Sequence, residues 1–189
     1  NKTALREMIR AIDESSRSAG QLLDHAMVNF RADQLQTEAL DLRKLTAETV
    51  ERLSPTAELK DISIIMQDQG GDFDFDGDPI MLQNALRNIL DNAIKYSFSE
   101  SDITVALGRD AHNYIISFAD QGRGFAGANL SDHLQRFKRG TNVKDIVGSG
   151  LGLTIVDEVA RAHGGRVKIN NNTDTKGGGA CVSLYFPLV

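Results

Sequence analysis

Tyr114-Ile115-Ile116-Ser117-Phe118-Ala119-Asp120-Gln121-Gly122-Arg123-Gly124-Phe125 is the stretch whose reading decides the fold. Its first half is an alternating apolar run and predicts a buried strand. A carboxylate follows at the strand's end, and two glycines follow within four residues. Glycine lets a backbone turn sharply and lets a flat ligand approach it closely. A carboxylate accepts hydrogen bonds and donates none, so Asp120 suits an exocyclic amine. The plain alternative is a strand running into a Gly-rich turn.

Downstream, Leu134-Gln135-Arg136-Phe137-Lys138-Arg139-Gly140 places one aromatic among three cations. Then Gly148-Ser149-Gly150-Leu151-Gly152-Leu153 opens an apolar helix that runs to about His163, with Gly164-Gly165 as its stop. Glycines at a helix start leave backbone N–H groups accessible, and the positive end of the helix dipole lies behind them. That is an anion site, most simply for phosphate. It lacks the Gly-Lys-Ser/Thr of a P-loop and the preceding strand of a dinucleotide fingerprint.

Upstream, Asp78-Pro79 predicts an N-cap followed by proline at the first helical position. Along that helix Asn84, Asn88, Asn92 and Lys95 fall within an arc of roughly 80°, with Leu82, Leu86, Ile89 and Ala93 opposite. Asparagine is a mediocre helix former, so a stripe of it calls for a reason. Amide oxygens can ligate Mg²⁺, which usually keeps waters and phosphate oxygens as its other ligands; the plain alternative is a solvated polar face.

The remaining segments complete an α/β pattern. Ile62–Met66, Phe73–Phe75, Ile103–Gly108, Arg166–Asn170 and Ala180–Phe186 predict strands, and Leu40–Leu53 predicts an extended entry and a helix ended by Pro55. Before them, Leu5, Ile9, Ile12, Ser16, Ala19, Leu23, Ala26 and Phe30 follow a heptad seam on a long helix, which wants a partner helix in a dimer or bundle. The boundary between this helix and the globular part is placed near Ala39.

Composition bounds the partners. With 189 residues and a net charge of −5, the chain is not expected to be a general binder of nucleic acid. The single cysteine, Cys181, excludes an internal disulfide framework and reads as inert core in an apolar strand. No apolar run approaches the roughly 20 residues of a membrane span. The chain opens on Asn1 rather than Met, and is read as a piece of a longer protein.

These motifs, in this order, resemble the ATP-binding catalytic domain of bacterial sensor histidine kinases, within the wider ATPase group shared with gyrase, the Hsp90 chaperones and MutL. Asn88-Ile89-Leu90-Asp91-Asn92-Ala93-Ile94-Lys95-Tyr96-Ser97 is similar to the N box, Asp120 to Phe125 to the G1 box, Arg136-Phe137-Lys138-Arg139 to the F box, and Gly148 to Leu153 to the G2 box. The match covers about residues 40–189. The helix before it resembles the second helix of the dimerisation and phosphotransfer hairpin, with Leu22-Leu23 and Asp41-Leu42 where that pattern places them.

The resemblance implies an α+β fold: a two-layer sandwich with a mixed sheet, preceded by a long helix. It implies a partial hairpin over residues 1–38 and an ATP-binding domain over residues 39–189. It implies ATP and Mg²⁺ as cofactors. Asn92 would ligate the metal with Asn88 in support, Lys95 would meet phosphate, and Tyr96 would pack near the adenine. Asp120 would accept from the adenine N6 amine, in a pocket shaped by Gly122, Gly124 and Phe125. Phe137 would belong to the lid and Arg139 would lie near the phosphates. Gly148, Ser149, Gly150, Leu151, Gly152 and Leu153 would form the lid's end and the phosphate-facing helix start. A response regulator receiver domain would be the partner, and the long helix would make a homodimer. The location would be cytoplasmic, with a parent in the bacterial inner membrane. An amine acceptor at Asp120 selects adenine over guanine, whose carbonyl would face the carboxylate.

The sequence departs from the family in two respects, the lesser being Leu134, which stands where the F box often has a second Phe. None of His25, His112, His133 and His163 has the acceptor context, which is an acid, an apolar residue, Arg, a small polar residue and Pro. The hairpin's first helix, which would carry the acceptor, is therefore read as absent. His163 reads as a helix C-terminal residue favoured by the dipole. An anti-sigma-type serine kinase and a non-catalytic dimerising regulator are the alternative readings on the same fold.

Overall fold

A computed structural model describes residues 2–125, 151–171 and 178–188. Helix α1 spans Lys2–Ala32, and is followed by β1 (Glu38–Asp41), α2 (Leu42–Glu58), β2 (Ile62–Asp68), β3 (Asp74–Gly77), α3 (Pro79–Tyr96), β4 (Ser101–Arg109), β5 (Asn113–Ala119), α4 (Gly152–Ala162), β6 (Arg166–Asn171) and β7 (Ala180–Pro187).

Five strands form one sheet in the order β2-β4-β5-β7-β6, and β1 pairs with β3 in a separate antiparallel ribbon. The sheet is mixed because β2 runs parallel to β4, while the other pairings are antiparallel. A parallel pair needs a long crossover, and here β3 and α3 supply it. Alternation does the rest. Ile103, Val105 and Leu107 on β4, Tyr114, Ile116 and Phe118 on β5, and Val182, Leu184 and Phe186 on β7 all face the helices and are buried. They meet Leu82, Leu86 and Ile89 of α3 and Ile155, Val156 and Val159 of α4 in one core. This is the two-layer α+β sandwich the sequence leads one to expect.

Local chemistry sets the helix ends. Asp41 Oδ1 accepts from the N–H groups of Arg43 (2.7 Å) and Lys44 (3.3 Å), which starts α2. Contrary to the expected stop at Pro55, α2 continues to Glu58. Proline removes one N–H from the ladder, but Glu51, the residue whose carbonyl loses its partner, is exposed, so water can satisfy it. The ladder then resumes with Leu59 N–H donating to Pro55 O at 3.2 Å. Cys181 also departs from expectation. It is half-buried on the sheet face away from the helices, since Val182 takes the inward position.

Helix α1 lies against α3 and α4 through its C-terminal half. Val28 is fully buried, Asp24 pairs with Arg87, and His25 Nε2 lies 3.3 Å from Glu158. The seam is otherwise bare. Leu5, Ile9, Ile12, Leu23 and Phe30 are each more than half exposed.

Candidate functional site

The site begins at Asp78, which is fully buried. Its Oδ1 accepts from the N–H groups of Ile80 and Met81, both at 3.1 Å, and so caps α3. Its Oδ2 takes Arg31 Nη1 at 2.7 Å and the N–H of Gln36 at 3.4 Å. Burial works against the charge. The hydrogen bond from Met81 and the pairing with Arg31 outweigh it, and hold the carboxyl below its usual range. The backbone N–H of Asp78 donates to His163 Nε2 at 2.9 Å. The other ring nitrogen of His163, Nδ1, donates to Val159 O at 2.8 Å. His163 is therefore neutral, and burial depresses its pKa despite the Val159 carbonyl and the nearby Asp78 charge. This corrects the reading of His163 as a dipole-favoured C-terminal charge: a buried imidazole accepting an N–H has no place for a second proton.

From Asp78 the amide stripe descends α3. It is not a solvated face, because Asn84 and Asn88 are each only 6 % exposed. Asn88 Nδ2 donates at 2.9 Å to both the backbone oxygen and Oδ1 of Asn84. The first residue of α4 crosses the lower end of the stripe. A Cβ placed on Gly152 would stand 3.1 Å from Asn92 Nδ2 and 3.4 Å from Asn88 Oδ1. Glycine thus lets the start of α4 approach both amides, and Leu151 before it has no side-chain oxygen with which to cap the helix. Leu151 itself is core, and Leu153 packs against the core.

At the other end of α3, Lys95 lies with its ammonium 5.1 Å from the ring centroid of Tyr96. Lys60, which sequence reasoning missed, closes this helix: its Nζ donates to Ile94 O at 2.5 Å and to Lys95 O at 3.2 Å. A cation at a helix C-terminus is favourable, and partial burial lowers the Lys60 pKa.

Asp120 stands across from Tyr96. Its Oδ1 accepts from the N–H groups of Gly122 and Ala180, both at 2.9 Å. Among the described residues, Oδ2 has no partner. Desolvation is the largest influence on the group and raises its pKa, with the N–H groups of Ala180 and Gly122 opposing. The result is a buried carboxylate with one oxygen committed to the fold and one to spare. Gly122 is required by contact: a Cβ there would come within 2.3 Å of Tyr96 O, across the bridge that joins Ser97 to Gly122. Gly179, which sequence reasoning did not single out, is tighter still, with φ +140° and Asp120 O at 1.9 Å from a would-be Cβ. Asn171 also escaped notice. Its Oδ1 accepts from Phe125 N–H at 2.6 Å and its Nδ2 donates to Phe125 O at 2.9 Å, which fixes the chain just after Gly124. The glycine run before β7 was the available signal for Gly179. No local signal marks Asn171, whose partner lies 46 residues away.

The structure therefore brings Asn88, Asn92, Gly152 and Leu153 together at the α3–α4 junction, and Tyr96, Asp120 and Gly122 at the α3–β5 junction, with Gly124 and Phe125 just beyond. Phe137, Arg139, Gly148, Ser149 and Gly150 lie outside the described residues. Among the described residues no cluster of three His, Cys, Asp or Glu side chains could hold a metal alone. Neutral amide oxygens at Asn88 and Asn92, beside the close approach of Gly152, fit Mg²⁺ that brings phosphate and water ligands with it.

Residues 77–189 match the family described as histidine kinase-, DNA gyrase B- and HSP90-like ATPases. The chain is similar to sensor histidine kinase YvrG of Bacillus subtilis, at 28% identity over 96% of the chain and 32% of that protein. It is also similar to sensor protein QseC of Escherichia coli K12, at 33% identity over 90% of the chain and 37% of that protein. It thus spans about a third of the length of these relatives. Among solved structures, the mycobacterial sensor histidine kinase MprB superposes with a TM-score of 0.71 at 27% identity, over 80% of this chain and 97% of that one. Full-length ShkA in complex with AMPPNP shares the fold, with a TM-score of 0.77 at 24% identity, over 96% of this chain and 38% of that one.

Proposed function

The chain belongs to the histidine kinase-, DNA gyrase B- and HSP90-like ATPase family, and from that membership we propose that it binds ATP with Mg²⁺ and supplies the γ-phosphoryl group to a histidine in two-component signalling. The observation that carries this reading is Asp120, a buried carboxylate with Oδ1 held by two N–H groups and Oδ2 without a partner among the described residues. That is the acceptor an adenine N6 amine requires.

The residues divide the work. Asp120 orients the base and Gly122 gives it room. The glycine-opened start of α4, with its N–H groups and dipole, attracts the phosphates, and Lys95, one turn beyond Asn92 on α3, adds positive charge. Asn92, with Asn88, would hold the metal, which when bound neutralises charge on the phosphate oxygens. Phosphoryl transfer needs mainly positioning and charge stabilisation, and these groups provide them. In the transfer a histidine nitrogen forms a bond to the γ-phosphorus, the bond to the bridging oxygen breaks, and ADP leaves. The phosphoryl group then passes to a carboxylate of a receiver domain.

Residues 1–38 serve as one helix of the dimerisation and phosphotransfer hairpin and residues 39–189 as catalytic domain. The bare apolar seam of α1 is the surface through which a longer parent pairs with a second copy. Among the described residues no helix is long and apolar enough to cross a membrane; an inner-membrane parent is part of the proposal. The test is transfer to a separate hairpin carrying an acceptor histidine in the family's context. With γ-labelled ATP and Mg²⁺, that hairpin is expected to gain acid-labile label, while this chain alone gains none. Label on a serine, or none on either, counts against the reading.

A further inference from the structure

Asn84 is the one member of the amide stripe to which the proposed function assigns no task. It is 6 % exposed and lies one helical turn above Asn88, on the side away from Gly152. Its Oδ1 accepts from Asn88 Nδ2 at 2.9 Å and from Arg87 Nη2 at 3.3 Å, and Arg87 is itself ion-paired to Asp24 of α1. Its Nδ2 is buried and has no hydrogen-bond partner among the described residues.

Two physical consequences follow. Asn88 Nδ2 is held by two acceptors, the backbone oxygen and the side-chain oxygen of Asn84. A flipped Asn88 amide would set oxygen against both of them, so the hydrogen bonding fixes which way the amide points. Its carbonyl oxygen is thereby turned toward Gly152, where it lies 3.4 Å from the position of a would-be Cβ. The second consequence concerns cost. A buried donor without a partner works against folding, and an apolar side chain of similar size would remove that penalty. A residue that breaks a local rule at net cost, beside a functional cluster, is the signature of a positioning role.

We propose that Asn84 is a positioning residue for the metal–triphosphate end of the site: it fixes the Asn88 amide with its oxygen toward the start of α4. It touches neither nucleotide nor metal and acts through Asn88. The inference rests on the reading that the Asn88–Asn92 stretch of α3 faces a magnesium nucleotide, and outer-shell groups of this kind typically change metal affinity or activity by roughly 10–100-fold.

The test compares the intact chain with Asn84→Leu and Asn84→Asp. Each is titrated with a non-hydrolysable ATP analogue in Mg²⁺ and in chelator, and each is melted without ligand. Asn84→Leu is expected to lose roughly tenfold in affinity in Mg²⁺, to bind as the parent does in chelator, and to melt at the same temperature or higher. Asn84→Asp keeps an acceptor for Asn88 Nδ2 and for Arg87, and is expected to retain the magnesium effect. In the parent without ligand, the Asn88 side-chain amide protons should exchange slowly with solvent, and faster in Asn84→Leu. A parent that binds with the magnesium effect beside an Asn84→Leu variant that keeps it in full overturns the inference. So does equal weakening with and without metal, or a lowered melting temperature, since either marks general damage. A parent that binds in neither condition overturns the functional reading and this inference with it.

Discussion

Replacing Asp120 with asparagine is expected to weaken binding of an ATP analogue by roughly 10- to 150-fold, the equivalent of one hydrogen bond to a charged group at about 1.5–3 kcal/mol. The fold decides how the new side chain sits. Gly122 and Ala180 both present N–H groups at 2.9 Å to the Oδ1 position, so the asparagine oxygen must go there. Its amide nitrogen then takes the Oδ2 position and offers a donor to the adenine amine, itself a donor. The acceptor edge of guanine becomes the better match, so discrimination against GTP should narrow as well. Stability should not fall in step. Burial already penalises the Asp120 charge, so the variant is expected to melt at the same temperature or higher.

Acidity gives an independent check on the same group. The folded-state pKa is raised, so the stability linked to the protonated form is present below the ordinary carboxylate value and is lost as pH rises through the raised value. The amine favours the ionised form. Affinity is therefore expected to be flat near neutral pH and to fall as pH drops through that raised pKa. Calorimetric titration across that range should show the fall in the parent and none in Asp120→Asn.

Asp78→Ala is expected to be the most destabilising of these substitutions, by about 3–5 kcal/mol, the range for removing one partner of a buried ion pair. The variant loses the cap of α3, leaves the partly exposed Arg31 without its carboxylate, and loosens Gln36. For a chain of this size that loss corresponds to a melting shift of roughly 6–20 °C. Arg31→Ala should cost less, because both capping N–H groups remain on Asp78. The acid limb follows from two depressed pKa values. His163 contributes stability above its ordinary value near 6.5, and this fades as pH falls toward its lower folded value. Asp78 holds its contribution to lower pH and loses it as pH falls through its own depressed value. Denaturant midpoints from pH 8 to pH 4 should fall first in the His163 window, and His163→Gln should flatten that part. A Gln can still accept from Asp78 N–H and donate to Val159 O.

What was legible in the sequence is what local physics determines. Asp78-Pro79 marked the start of α3 because a cap and an N1 proline are readable from neighbours alone. The asparagine stripe was legible because 3.6-residue periodicity places it on one face, and Asp120 because a strand ends there. The resemblance to the sensor kinase domain supplied the layer order, and the mixed sheet bears it out. What escaped depends on contacts distant in sequence. Ala180, which holds Asp120 Oδ1 from 60 residues away, and Gly179, where a Cβ would clash with Asp120 O, could not be inferred from Asp120 to Phe125. His163 was misread because its partner is the backbone N–H of the residue that caps another helix, Asp78, and periodicity says nothing of that. Pro55 was given too much weight as a breaker, since a proline beside an exposed Glu51 carbonyl near a helix end costs little. Asn84 and Asn88 are buried by packing between elements distant in sequence, where the polar pattern alone would have assigned them to solvent.

The most direct measurement is isothermal titration of this chain with a non-hydrolysable ATP analogue, in Mg²⁺ and in chelator, with a GTP analogue as competitor. One site per chain, tightened by Mg²⁺ and little disturbed by a tenfold excess of the GTP analogue, is the expected result. No binding in either condition, or equal competition by the GTP analogue, would contradict the assignment of Asp120, Asn88 and Asn92 to a magnesium–ATP site.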